Sequence, residues 1–336
     1  MKTAVVILNW NTRDYLKRFL PPLLQGTEGM DAGVIVADSA STDGSLELMA
    51  EEFPSVRTIP LDSNYGFTGG YNRALAQVEA EYFVLINSDV EVGKGWLEPL
   101  VEWMDSHPEC GVCGPKLHSW QERDRFEYAG AAGGYIDRFG FPFCRGRVLK
   151  RTEKDCGQYD SPKDVLWVSG ACLMVRSELW RRLGGLDERF FAHMEEIDFC
   201  WRAQHAGWKV TVVPYSTVHH LGGGTLPQDS PWKLELNYRN NLLMLRNNLP
   251  DRLSSHLVIG TRYILDIFAA IAYFCSGKPS FARAVFSAHR QYRSLRTPLR
   301  GAADRVPGHW RLCIIPAAAL RGDGIFKYLK EYEDNH

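Results

Sequence analysis

Residues 4–12 read Ala4-Val5-Val6-Ile7-Leu8-Asn9-Trp10-Asn11-Thr12: five apolar residues that give way abruptly to asparagines and a threonine. A continuous apolar run of that length reads as a strand buried on both faces, the kind found in parallel sheets. The pattern returns at 33–37, before Asp38-Ser39, and at 56–61, before Asn64. It returns again at 82–86, where Tyr82-Phe83-Val84-Leu85-Ile86 precedes Asn87-Ser88-Asp89. Segments 14–24, 45–53 and 71–78 lie between these runs and carry helical apolar spacing. Strand–helix alternation of this kind predicts an α/β chain with a mostly parallel sheet flanked by helices. Ligands bind such sheets beyond the carboxyl ends of the strands, so the polar residues after each run are the first candidates for a site.

Further along, residues 110–165 lose this regularity and read as a looser lobe facing a second substrate. Strand character returns at 166–175 and helical character at 178–183, where Gly184-Gly185 stops it. A helix is expected over 195–205, a strand over 209–213 and an Asn- and Arg-rich helix over 232–247. Residues 256–275 are strongly apolar apart from Arg262 and Asp266. Lys278, Arg283, Arg290, Arg293, Arg296, Arg300, Arg305 and Arg311 then stand against one acid, Asp304. The expected division is a main domain over 1–250 and a helical, basic extension over 251–336.

The 336 residues are 45% hydrophobic and 24% charged, ordinary for a folded globular chain. A formal net charge of -1 offers no global field for nucleic acid. The eight cysteines are scattered, with Cys110-Gly111-Val112-Cys113 the one C-x-x-C, which argues for reduced thiols in the cytoplasm. The first apolar run is too short for a signal peptide. Nowhere do about 18 apolar residues follow one another without interruption, so a clean membrane span is not expected.

The candidate chemistry follows from residue type and place. Asp89, just past a buried strand, can reach a divalent cation clamped by a diphosphate, since Mg²⁺ and Mn²⁺ take few protein carboxylates alongside phosphate oxygens. Asp38 can accept from a pyrimidine N3–H, and the small residues around Ser41 let a flat base lie close. The stretch from Asn64 through Gly66 and Gly69 to Asn72 reads as a glycine-dense loop whose N–H groups face phosphate. His193-Met194-Glu195-Glu196-Ile197-Asp198 gathers three acids at a helix start behind the apolar Phe190-Phe191-Ala192. A carboxylate against such a wall has its pKa raised toward that of a useful base. His219-His220 before a glycine run can bind a metal or approach a phosphate.

Taken in order, these motifs resemble the family 2 glycosyltransferases with the GT-A fold, in particular their rhamnosyltransferase-like branch. The matching stretches are V-V-I-L-N-W-N, A-D-S-A-S-T-D-G-S, N-Y-G-F-T-G-G-Y-N, N-S-D-V, W-V-S-G-A-C-L-M-V-R, G-G-L-D-E-R-F-F, E-E-I-D-F-C-W-R and V-H-H-L-G-G-G-T, spread over about residues 1–250. The resemblance implies transfer of a sugar from a nucleotide-diphosphate donor, dTDP-rhamnose or a UDP-hexose, to an acceptor hydroxyl with inversion. The acceptor it implies is a saccharide or lipid-linked saccharide of a bacterial surface polysaccharide.

The same resemblance implies the residue roles. Asp38, with Asn9 and Ser41, would hold the base, while Asn64, Gly66, Gly69 and Asn72 would line the nucleotide-sugar site. Asp89 stands at the last acid of the D-x-D metal motif, with Asn87 in place of the first. His220 would be the further ligand of Mg²⁺ or Mn²⁺. Glu196 occupies the place of the catalytic Asp, with Glu195 as the alternative base. Trp167 and Asp198 would stand on the acceptor side. The apolar and basic extension suggests a cytoplasmic enzyme in peripheral contact with the inner face of the membrane; a helical appendage packed on the main domain is the alternative. A nucleotide-sugar-binding protein without transferase activity is the competing reading. A dinucleotide oxidoreductase would need G-x-G-x-x-G where Asn9-Trp10-Asn11-Thr12 stands.

Overall fold

The computed structural model describes residues 1–222, 230–299, 301, 306 and 308–335. Gly223 and Gly224 of the glycine run, and Arg300, Asp304 and Arg305 of the basic tract, lie outside the described residues. The strands in chain order are β1 (Thr3–Asn9), β2 (Ala32–Asp38), β3 (Arg57–Pro60), β4 (Tyr82–Ile86), β5 (Val90–Val92) and β6 (Cys110–Ser119). Then come β7 (Gly134–Ile136), β8 (Pro142–Cys144), β9 (Arg147–Val148), β10 (Arg151–Thr152), β11 (Lys163–Asp164), β12 (Cys172–Arg176) and β13 (Lys209–His220). The helices are α1 (Arg13–Thr27), α2 (Ser45–Glu52), α3 (Gly66–Leu75), α4 (Glu98–Ser106), α5 (Ser177–Leu183) and α6 (Glu195–His205). The chain closes with α7 (Pro231–Asn248), α8 (Leu253–Cys275), α9 (Pro279–Leu295), α10 (Ile314–Arg321) and α11 (Ile325–Asp334).

The main sheet runs β11-β13-β6-β12-β4-β1-β2-β3, and β5 pairs with the far end of β13. Strands β3, β2, β1 and β4 are parallel, as their apolar runs predict, and β6 and β13 are parallel to each other. Only β12 among the central strands is reversed, lying antiparallel to both β4 and β6. Alternate side chains feed two cores. Val5, Ile7, Val84 and Ile86 pack with Leu16, Leu20 and Leu100 on one face. Ala4, Val6 and Leu85 pack with Tyr71, Phe199 and Trp201 on the other. Each buried Val, Ile, Leu or Phe among them contributes on the order of 1.5–3 kcal/mol. The parallel half brings the ends of β1, β2 and β4 to one edge, with Asn9 opposite Asp38 in the register.

Several sequence expectations change here. Helix α1 does not end at its prolines but runs through Pro21-Pro22 to Thr27. The carbonyls these rings cannot bond belong to Lys17 and Arg18, both exposed to water, while Leu16, Phe19, Leu20 and Leu23 hold the buried stripe. Residues 110–119, expected to be irregular, form the ten-residue β6. The irregular lobe is real only after it, and contains the small antiparallel sheet β10-β9-β8-β7. Strand β13 continues past Val213 to His220, crossing Pro214 with a register shift against β6 between Val212 and Thr217. A bulge accommodates a proline that a regular ladder would not.

The C-terminal extension is helical as expected. Helices α8 and α9 pack together and against α7. Arg262 and Asp266, the charged interruptions in α8, are buried: Arg262 Nε lies 2.8 Å from Asp266 Oδ1, and His289 Nε2 of α9 lies 3.1 Å from Asp266 Oδ2. Helix α8 has 23 residues and a mean hydropathy of 1.6; it is the one helix among the described residues long and apolar enough, by length and composition, to cross a bilayer. Only 22% of its apolar window is buried.

Candidate active site

The strand ends are tied to one another. Asn9, fully buried at the end of β1, donates from Nδ2 to Asp38 Oδ2 at 2.7 Å and to Ser41 Oγ at 3.1 Å. Asp38 Oδ1 accepts the Ser41 N–H at 2.8 Å. Thr12 Oγ1 lies 2.5 Å from Asn9 Oδ1 and 2.8 Å from Ser88 Oγ. One network thus spans the ends of β2, β1 and β4. The side chain of Asn9 is consumed in fixing Asp38, whose oxygens keep further lone pairs for a donor.

The stretch 64–72 is not a loop. Most of it is the first part of α3. Two of its first-turn N–H groups are already bound, Gly66 N–H by Asn64 Oδ1 at 2.9 Å and Thr68 N–H by Phe191 O at 3.2 Å, so they do not face phosphate. Gly66 has φ +69°, and a methyl group there would stand 2.5 Å from Phe191 O. Only glycine permits that approach. Gly69 packs beneath Tyr65, where a methyl group would meet the Tyr65 Cβ at 2.8 Å. Asn72 is turned elsewhere. Its Nδ2 donates to Leu186 O at 2.8 Å and its Oδ1 accepts from Leu186 N–H at 2.9 Å, fastening α3 to the turn after α5.

Asn87 and Asp89 follow β4. Asn87 is half-buried and its N–H donates to Ala171 O at 2.9 Å. Asp89 is buried, with His220 Nε2 3.1 Å from its Oδ1. Residues 131 apart are therefore neighbours, because β13 continues alongside β6 and β5. On the other side of the ring, His220 Nδ1 stands 3.4 Å from Glu127 Oε1. Burial alone would lower the His220 pKa, but its contacts with Asp89 and Glu127 outweigh it and push it up to about 10. Lys233, half-buried in the first turn of α7, has its pKa lowered by burial while the charges of Glu127 and Asp89 oppose that shift. A carboxylate oxygen and an imidazole nitrogen this close suit a divalent cation completed by diphosphate oxygens, while Glu127 stands on the far side of the ring.

The acids of α6 sit behind an unusual turn. Phe191, His193 and Met194 all have positive φ, at 63°, 72° and 70°. Such conformations cost on the order of 1–3 kcal/mol each and persist only when the surroundings enforce them. Helix α7 does so. Asn240 Nδ2 reaches the carbonyl oxygens of Phe190, Ala192 and His193 at 2.9, 2.7 and 2.8 Å, and Arg239 Nη2 donates to Phe190 O at 2.7 Å. The turn delivers Glu195 into the interior and leaves Glu196 partly exposed. Burial raises the pKa of both acids, that of Glu196 to about 7; the neighbouring Glu196 charge adds to the rise at Glu195. One oxygen of each carboxylate, Oε2, has no hydrogen-bond partner among the described residues. Burial also lowers the His193 pKa to about 4, with the Lys233 charge acting in the same sense.

Glu196 stands beside Gly170 and Phe67: a methyl group on Gly170 would lie 3.4 Å from Glu196 Cβ and 3.6 Å from Phe67 Cζ. Gly170 precedes Ala171, the residue that holds Asn87. The acid of α6, the start of α3 and the residue after β4 therefore come together around Gly170 and Ala171.

Like Asn72, two further expected site residues stand away from this group. Asp198 is fully buried; its Oδ1 accepts from Asn247 and Asn248 at 2.9 and 2.8 Å and its Oδ2 from Arg202 Nε at 2.8 Å. It fastens α6 to α7 rather than facing an acceptor. Trp167 is 2% exposed, donates from Nε1 to Tyr135 O at 3.2 Å and packs its ring on Gly134, so it belongs to the core. Conversely, sequence reasoning missed Glu127, Lys233 and Asn240. Glu127 carries no local signal. The polar residues within the apolar pattern of 232–247 were the visible trace of Asn240.

Residues 4–173 match the model of glycosyl transferase family 2. The N-acetylglucosaminyl-diphospho-decaprenol L-rhamnosyltransferase of Mycobacterium tuberculosis H37Rv is 28% identical over 259 residues, 72% of this chain and 83% of that protein. The rhamnosyltransferase WbbL of Escherichia coli K12 is 23% identical over 266 residues, 75% of this chain and 97% of its own length. Among solved structures, S. aureus TarS in complex with UDP-GlcNAc superposes with a TM-score of 0.56 at 16% identity, over 87% of this chain and 82% of that one. The mannosyltransferase PcManGT of Pyrobaculum calidifontis, in complex with GDP-Man and Mn²⁺, gives 0.53 at 13% identity over 87% of each chain. These likenesses establish the GT-A fold.

Proposed function

Because the chain belongs to glycosyl transferase family 2 and is a glycosyltransferase, we propose that it moves a rhamnosyl or hexosyl group from a dTDP- or UDP-sugar to a hydroxyl of a lipid-linked saccharide, with inversion. The observation that carries the reading is Glu196: a partly exposed acid with a free oxygen and a pKa raised to about 7 by burial, beside Gly170 and so one residue from Ala171, which holds Asn87.

Asp38, fixed by Asn9 and Ser41, accepts from the base of the nucleotide. Asp89 and His220 would hold a Mg²⁺ or Mn²⁺ ion, which supplies positive charge to the diphosphate leaving group when bound. Glu196 takes the proton of the acceptor hydroxyl as that oxygen bonds to the anomeric carbon. The bond from that carbon to the diphosphate breaks on the opposite face, and the nucleoside diphosphate departs with the electron pair. Glu195, more deeply buried and next to Glu196, keeps its own proton and spares the base a second negative charge. Base catalysis of this kind contributes about 10²–10⁴-fold, and orientation must supply much of the remainder.

The lipid-linked acceptor is supported by the extension and by the relative from M. tuberculosis, whose name specifies a diphospho-decaprenol acceptor. Leu253, Leu257, Ile264, Phe268, Ile271 and Phe274 all lie exposed along α8. Lys278, Arg283, Arg290, Arg293 and Arg296 are exposed nearby in sequence, and none forms an ion pair among the described residues. An apolar helix face with unpaired cations suits the surface of an anionic bilayer.

Calorimetry with UDP-, dTDP- and GDP-sugars, each with and without Mn²⁺, tests the reading. Metal-dependent binding of one donor that is lost in Asp89→Ala supports it. Folded protein that binds none of them overturns it.

A further inference from the structure

We propose that Glu127 is the positioning residue for His220: its carboxylate, at ion-pair distance from Nδ1, sets the ring plane so that Nε2 stands beside Asp89. The proposal rests on the reading of Asp89 and His220 as the metal-holding pair. Glu127 follows β6 and is pinned at three points. Its N–H donates to Leu117 O at 2.9 Å, its Oε2 accepts the Ala129 N–H, and its Oε1 stands 3.4 Å from His220 Nδ1. Both side chains are 8% exposed. A buried carboxylate is costly unless a donor compensates it. Among the described residues no lysine or arginine forms an ion pair with Glu127; His220 is the cationic or proton-donating side chain that does.

The geometry gives the two ring nitrogens separate tasks. Nε2 faces Asp89 Oδ1 at 3.1 Å, and Nδ1 faces Glu127. A carboxylate beside one ring nitrogen holds the ring plane and leaves the other nitrogen to act as ligand. Removing such an outer partner weakens metal binding by about 10–100-fold. The second oxygen of Glu127 is held on Ala129, so the carboxylate cannot swing toward Asp89 and compete for the cation itself.

The test is a double-mutant cycle read by Mn²⁺ affinity in the presence of saturating UDP, and again with dTDP. Glu127→Ala is expected to raise the Mn²⁺ Kd by about 10–100-fold. In a His220→Ala background the same change is expected to add less than about twofold, because the partner it acts through is gone. Glu127→Gln keeps an acceptor at Oε1 and is expected to recover most of the affinity. Glu127→Met, similar in volume but without a strong acceptor, carries the test if the alanine variant does not fold. Wild-type Mn²⁺ affinity in Glu127→Ala, or losses that simply add in the double variant, overturns the proposal alone. Wild-type protein that holds no Mn²⁺ with either nucleotide overturns both the proposal and the assignment of Asp89 and His220.

Discussion

The side-chain amide of Asn240 donates to the carbonyl oxygen of His193 at 2.8 Å, so a residue 47 positions downstream fixes the point from which the acid-bearing helix departs. The same nitrogen also reaches Phe190 and Ala192. Asn240→Ala leaves the Ala192 and His193 carbonyls short of a donor, Phe190 keeping Arg239, in a turn already held at positive φ. The expected loss of stability is on the order of 2–4 kcal/mol. Displacement of Glu196 by about an ångström is expected to cost turnover about 10²-fold. Chemical denaturation and initial rates check the two effects separately. Unchanged values in both would mean the turn holds itself.

Glu195 and Glu196 are adjacent but not equivalent. Only Glu196 retains appreciable exposure. Glu196→Gln is expected to lower the transfer rate by about 10²–10⁴-fold while leaving donor affinity unchanged. Glu195→Gln, which keeps the buried shape and mimics the protonated acid, is expected to retain most of the activity. The opposite ranking of the two variants would assign the base to Glu195.

The Glu196 carboxyl, raised by burial from its ordinary 4.5 to about 7, links activity and stability to pH with opposite signs. A base must be ionised, so kcat/KM is expected to rise with pH and level off above about 7. The folded state binds this proton more tightly than the unfolded chain does. Stability from this group is therefore present at low pH and is lost as pH rises from about 4.5 through 7. Glu196→Gln never ionises there and is expected to melt above the wild type at pH 8 and close to it at pH 5. Thermal melts at the two pH values decide this, and a variant less stable at pH 8 than the wild type contradicts it.

The boundaries of β4 and α6 were legible to the residue, because Tyr82–Ile86 is an unbroken apolar run closed by turn formers and Glu195–His205 carries a full helical stripe. What the sequence concealed was set by partners distant along the chain. Gly66, Gly69 and Gly70 read as a loop, yet they are helical because α3 must lie against Phe191 and Leu8. Gly111, Gly114 and Pro115 masked β6, and Pro214 masked the continuation of β13 that brings His220 to Asp89. Composition alone also could not distinguish a partly exposed carboxylate from one locked between helices. Glu196 and Asp198 lie two positions apart on α6, but Asp198 is claimed by Arg202, Asn247 and Asn248.

The exposed face of α8 yields the last prediction. Phe268 and Phe274 are 64% and 68% exposed, an arrangement that water disfavours and a bilayer interface accepts. The unpaired arginines of α9 add an attraction worth about 1 kcal/mol per charge at an anionic surface. The protein is therefore expected to co-sediment with vesicles containing phosphatidylglycerol and to stay in solution with pure phosphatidylcholine. Phe268→Asp is expected to weaken vesicle binding severalfold with little change in the melting temperature, since most of the side chain already lies in water. Raising the salt to about 1 M shortens the screening length to roughly 3 Å and should release protein held mainly by charge. Binding that survives high salt but is lost in Phe268→Asp identifies apolar insertion as the main attraction, whereas indifference to both lipid charge and Phe268→Asp removes the membrane from the account of this helix.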